Sequence, residues 1–270
     1  MRLLASILAA LVLFSCTEPI DINLNNDENL RLVVDAEIDN LLESDTIFLS
    51  VTSNFFDQSG PVPASGATVK ITNDDGDFLF QEINGSGRYI SPANFKGAEG
   101  QNHVLNISYE GKSYTGSCFL NPPIKIDTLT SRRLGPDDFF NPDEVEIGIS
   151  LQDPPGVRNY YWFIDFVNGK NEYEDLFEYG ALFNDEIING SYLDNIEYGT
   201  FDLKEGDTLR IELRTITKKV EEILIGLASE SFRGGIFDSP PSNVPSNINN
   251  GALGIFVAYS RETKSIIIDK

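Results

Sequence analysis

From Leu30 onward the chain alternates apolar and polar residues with a period of two, which constrains its fold more than any other feature. Leu30, Leu32, Val34 and Ala36 alternate with Arg31, Val33, Asp35 and Glu37, and Ile47, Leu49 and Val51 alternate with Thr46, Phe48, Ser50 and Thr52. Such a period puts successive side chains on opposite faces of a strand, so that one face can be buried and the other wet. Strand-like runs follow at 67–72, 78–83, 88–91, 103–109 and 112–119. Asn73-Asp74-Asp75-Gly76 and Glu110-Gly111 stand where hairpins need turns. Seven short strands without a helical period predict a β-sandwich over residues 30–120.

Asn121-Pro122-Pro123 interrupts the pattern and marks the expected domain boundary. Alternation resumes at 124–134 and 144–151, and residues 159–167 (NYYWFIDFV) are the most apolar strand candidate, with Tyr160, Trp162, Ile164 and Phe166 on one face. Residues 168–198 are acidic, aromatic and irregular, and read as a long hairpin or loop excursion. A strand is expected at 208–215. Val220, Ile223, Leu224 and Leu227 then recur at helical spacing behind Thr217, a suitable N-cap, with Gly234-Gly235 as a stop, so an amphipathic helix is expected over about 218–233. Two last strands are expected at 254–260 and 265–269. The fold class is therefore all-β, as two β-sandwich-like domains, 30–120 and 124–270, the second carrying the helix.

Charge narrows the partners. The formal net charge is −22, and removing residues 1–15 takes away Arg2 and no acid, leaving −23. Nucleic acid and anionic lipid both demand clustered Lys and Arg, so neither is an expected partner.

The amino terminus carries the localisation. Arg2, an apolar run over 3–14, Ser15 and Cys16 form an export signal too short to span a bilayer as a helix. The run resembles the lipobox of bacterial lipoproteins, which implies cleavage of residues 1–15 and acylation of Cys16. Residues 16–29 then form a polar, acidic tether. Glu18 and Asp21 within it resemble the acidic export signals of Bacteroidota surface lipoproteins. With Cys16 acylated, Cys118 has no intramolecular partner; its place in an alternating run makes it a buried small hydrophobe.

Residues 237–260, FDSPPSNVPSNINNGALGIFVAYS, resemble the C-terminal signature of a Bacteroidota lipoprotein family described as a domain of unknown function. Gly66-Ala67-Thr68-Val69-Lys70-Ile71, with Gly76, Tyr89, Gly100 and Tyr114, fits the first domain of that family, whose pattern many immunoglobulin- or transthyretin-type sandwiches share. The resemblance implies an outer-membrane lipoprotein, commonly encoded beside TonB-dependent receptors, and carries no catalytic activity with it.

Chemistry-bearing residues are few. His103 is the sole histidine, without a surrounding motif, and reads as structural. One histidine and no usable cysteine pair give no zinc or copper site, and no cofactor motif is present. The acidic turn 73–77 lacks the register of a calcium loop and reads as a hairpin; the acids of 172–178 read as a solvated loop. Asp165 interrupts an apolar strand opposite Trp162, and is expected to point to water unless it serves a carboxylate-dependent hydrolase. Aromatics crowd 173–198, among them Phe183 and Tyr198; Tyr173, Phe177, Tyr179 and Tyr192 are candidate contacts for a glycan, peptide or partner. Asn243, Asn247 and Asn249, in the Pro/Asn segment 239–250, are candidates of the same kind, with a rigid connection as the alternative.

These readings predict a non-catalytic, lipid-anchored accessory of the outer membrane, surface-facing with the periplasmic face as alternative, partnering a TonB-dependent transporter in nutrient capture. A stand-alone glycan- or peptide-binding module is the alternative, and a carboxylate hydrolase the third reading.

Overall fold

An alternating run becomes a strand only where a neighbour satisfies its backbone, and the computed structural model shows those neighbours. It describes residues 30–53, 60–136, 144–171, 181–231 and 244–269. The signal 1–15, Cys16 and the tether 16–29 lie outside the described residues. The chain is mainly β, as the alternation predicts, with a single helix among the described residues.

In the first sandwich, β1 (Leu32–Asp39) pairs antiparallel with β2 (Thr46–Val51), which is extended by β3 (Val62–Pro63) and β6 (Arg88–Ile90). β5 (Gly76–Glu82) pairs with both β6 and β4 (Thr68–Asn73), and so carries the sheet over into β4, β7 (Gln101–Tyr109) and β8 (Lys112–Leu120). Val34, Ala36, Ile38, Ile47 and Leu49 of one layer meet Val69, Ile71, Leu105 and Ile107 of the other in a single core. Burying each large apolar side chain contributes about 1.5–3 kcal/mol. The Asn73-Asp74-Asp75-Gly76 turn joins β4 to β5, with the Asp75 amide donating to Asn73 Oδ1 at 3.0 Å.

The second sandwich sets a three-stranded sheet, β14 (Tyr192–Phe201), β10 (Val145–Gln152) and β9 (Ile126–Arg133), over β11 (Tyr160–Val167), β15 (Thr208–Ile216) and the end of β16 (Leu253–Ile267). β12 (Lys170–Asn171) and β13 (Leu182–Asn184) both pair with β11, at its two ends. α1 (Lys218–Ser231) follows β15; the Val220 amide donates to Thr217 Oγ1 at 3.3 Å, so Thr217 is the N-cap. Val220, Ile223 and Leu224 pack into the first core.

One expectation is corrected and another is sharpened. The runs 254–260 and 265–269 form one strand: β16 pairs in parallel with β1 through Tyr259, then antiparallel with β15 from Ser260. The chain passes from one sandwich to the other at Asn121-Pro122-Pro123, yet this last strand belongs to both. Its approach to β1 requires glycine at 254, where φ is +91° and an added Cβ would overlap the Val34 carbonyl. The excursion 168–198 also contains most of a ten-residue strand, β14. Its pattern was hidden by bulges against β10 and by Asn195 at φ +49°, which reset the alternation.

Where β1, β15 and β16 meet, a buried ionic network joins the sandwiches. The Arg214 guanidinium lies 4.4 Å from the Trp162 ring centroid and 4.3 Å from that of Tyr259. It donates to Glu212 at 2.7 Å and to Glu37 at 3.3 Å. Arg261 reaches the buried Asp39 at 3.0 Å and, at the solvent edge of the network, the exposed Glu43 at 2.6 Å.

Candidate functional site

The two sides of the second sandwich are finished differently. On one side β9 lies against β16, with Lys264 Nζ donating to the Asp127 carbonyl at 2.9 Å. On the other side the layers end in β14 and β13, which do not pair with each other. Between these edges lies an apolar cleft of about 190 Å³, lined by Ile149, Leu151, Tyr161, Phe163, Phe183 and Tyr198 among others. Glu197 is the only charged residue lining it among the described residues.

The odd-numbered face of β11 supplies Tyr161 and Phe163, while its even-numbered residues Tyr160, Trp162 and Ile164 belong to the first core. Phe163 meets Tyr198 edge-on with centroids 5.4 Å apart, and Tyr161 lies 6.1 Å from Phe183. Both tyrosine hydroxyls are tied away from the cleft. Tyr198 donates to Asp165 Oδ1 at 2.6 Å. Tyr161 donates to Asp153 Oδ1, whose other oxygen accepts the Gly190 amide at 2.6 Å. Burial, then the Asp153 carboxylate, drives the Tyr161 phenol far above its ordinary range, so it stays a donor. Burial likewise pushes the Asp165 carboxyl up, against the Tyr198 bond. The rings thus present hydrocarbon surface to the cleft, held in place by polar anchors beneath it.

This corrects the expectation for Asp165, which is only 4 % exposed and does not point to water. Both faces of β11 are covered, so no residue of its centre reaches solvent. His103 is wholly buried; its Nε2 accepts the Ala98 amide at 3.0 Å, and burial lowers its pKa. Cys118 is buried against the Ala258 carbonyl, and burial raises its thiol pKa. No group of three or more His, Cys, Asp or Glu among the described residues is placed to hold a metal ion.

Of the candidate contact residues, Tyr173, Phe177, Tyr179 and Asn243 lie outside the described residues, as do the acids of 172–178. Tyr192 is exposed at the start of β14 and does not line the cleft. Asn247 spends its amide on the backbone of Phe256, donating at 2.6 Å and accepting at 2.8 Å. Asn249 accepts the Thr115 amide at 2.7 Å, and Asn250 donates to the Ser113 carbonyl at 3.1 Å, which covers the edge of β8. The cleft brings together Tyr161, Phe163, Phe183 and Tyr198, which the sequence shows only as part of an aromatic excess. The available signal is that NYYWFIDFV is apolar at odd as well as even positions, the mark of a strand buried on both faces.

The family model of a domain of unknown function, DUF4249, matches residues 17–265, and the chain belongs to that family. The match runs through β14 and nearly to the end of β16, so both sandwiches and the cleft fall within it. No curated protein matches the chain.

Proposed function

We propose that this member of the DUF4249 family is a lipid-anchored, non-catalytic accessory of the bacterial outer membrane, which docks on a TonB-dependent transporter and assists nutrient capture. The observation that carries the reading is the open apolar cleft between β13 and β14, a surface built for contact. The groups best suited to chemistry, His103, Cys118 and Asp165, are meanwhile used inside the cores. Cys16 supplies the anchor. The tether 16–29 supplies reach, at most about 3.3–3.6 Å per residue. The resemblance of the export signal to a lipobox, and the company that such genes keep, support the membrane and the transporter.

Fractionation of cells expressing the native gene tests the anchor. The protein should reside in the outer membrane, with mass spectrometry showing acyl chains on an amino-terminal Cys16, and Cys16→Ala should release it from that membrane. A mature protein that begins elsewhere and is recovered in soluble form overturns the reading.

A further inference from the structure

The second sandwich keeps a strand edge that is longer than the other edges of the fold and uncovered by the described residues. Sheet edges are ordinarily blunted by charged side chains, by Pro, by bulges, by short length or by a covering loop. β3 is two residues long and contains Pro63; β12 is as short and starts at Lys170; β8 is covered by Asn249 and Asn250. β9 lies against β16. β14 runs for ten residues at the end of its sheet, has neither Lys nor Pro, and among the described residues pairs only with β10, against which its register shifts twice. Its charged residues, Asp194 and Glu197, are both exposed, and neither has an ion-pair partner among the described residues. Immediately inside this edge lies the apolar cleft.

We propose that β14 accepts an extended strand from a partner protein, with one large apolar side chain of that strand seated in the cleft and basic residues set against Asp194 and Glu197. The inference rests on the accessory role proposed above and names the surface that performs it. An added strand would satisfy the outward N–H and C=O groups of β14, which supply affinity without regard to sequence, while alternate side chains supply specificity. The cleft selects the chemistry. At about 190 Å³ it is smaller than the roughly 300–1,000 Å³ of ordinary small-ligand sites, and it offers almost no hydrogen-bonding groups for a sugar. Its size and lining suit a single Phe, Leu or Met side chain. The acids on β14, on a chain of net charge −22, select Lys or Arg at the flanking positions and disfavour acidic strands.

The test uses the full-length lipoprotein in its own membranes, with a photo-crosslinking amino acid placed in turn at Asp194, Ile196 and Thr200, and at Ser117 on β8 as a control. The complex is purified in mild detergent and the crosslinked peptides are sequenced. The proposal expects crosslinks from β14, absent from β8, to one partner segment whose sites step in two-residue register and alternate apolar with basic residues. Charge reversal by Asp194→Lys with Glu197→Lys, at exposed positions, should lower the recovered partner by about tenfold without shifting Tm. A partner that co-purifies but never crosslinks to β14 overturns this inference and leaves the accessory role standing. Crosslinks from β14 to residues 172–180 of the same chain, or to a second copy, overturn it too. If no partner co-purifies at all, the accessory reading itself fails and this inference with it.

Discussion

Arg214→Met is the most informative single substitution, because Arg214 on β15 contacts β1, β11 and β16 at once. The bond from Nε to Glu212 is 2.7 Å long, and the Glu212 side chain is 2 % exposed. A hydrogen bond between charged groups in such a setting contributes about 1.5–3 kcal/mol. The bond to Glu37 contributes less, since that side chain is 27 % exposed and screened by water. Contacts with the Trp162 and Tyr259 rings add about 1–2 kcal/mol, part of which methionine restores by packing. Glu212 retains Arg210 at 3.2 Å and Arg261 at 3.7 Å, so it is not left wholly uncompensated. The expected loss is about 3 kcal/mol, at the lower end of the range for breaking a buried ion pair. Urea unfolding measures it, followed by the fluorescence of Trp162, the sole tryptophan, which lies beneath the guanidinium. The midpoint should fall with m unchanged, and Glu212→Gln in the Arg214→Met background should restore part of the loss. A loss below about 1 kcal/mol would mean that the network is worth no more than a surface pair, contrary to its burial.

Gly254→Ala should prevent stable folding, since its Cβ overlaps the Val34 carbonyl in a left-handed backbone, and circular dichroism of a folded, unshifted variant would contradict the β1–β16 pairing. Asn247→Ala strips two bonds from the buried Phe256 backbone and should cost about 2–4 kcal/mol, read as a fall in Tm; an unchanged Tm would return Asn247 to the class of ligand contacts. Burial, then the Asp39 carboxylate, pushes Asp45 up to about 8, and burial, then Glu37, pushes Asp35 up to about 6. The folded protein therefore holds protons that the unfolded chain has released. Stability should fall as pH rises from about 4 to about 8, by at most about 1.4 kcal/mol per unit for each group, then level off. Asp45→Asn should flatten the upper part of that slope in urea titrations; an unaltered slope would remove Asp45 as its source.

Much of this architecture is legible in the sequence because the strands of the first sandwich bury one face more deeply than the other. Leu32, Val34, Ala36 and Ile38 are buried, and Val33, Asp35 and Glu37 between them are half-buried, so period two is plain. The helix is legible for the same reason, through the stripe that begins at Val220. What escaped depends on contacts far apart along the chain. Nothing local to 253–267 reveals that its first half lies beside β1, although Val33 is the register partner of Leu253. β14 escaped because it is an exposed edge strand interrupted by bulges, with no buried face to impose a period. The candidate site was visible only as aromatic excess. Composition shows Tyr161 and Tyr198, but their roles follow from Asp153 and Asp165, whose burial is a property of the assembled sheets. Asn247 and Asn249 read in the sequence as candidate ligand or partner contacts, and in the structure their side chains bond the backbone of β16 and β8.

Co-purification decides whether the protein docks on a transporter: the tagged native lipoprotein is extracted from its own outer membranes in mild detergent, and its partners are identified and quantified by mass spectrometry. A TonB-dependent transporter is expected in near-stoichiometric amount, retained by the wild type and depleted by the Asp194→Lys, Glu197→Lys variant. Recovery of an acylated protein alone, with no barrel partner, would contradict it.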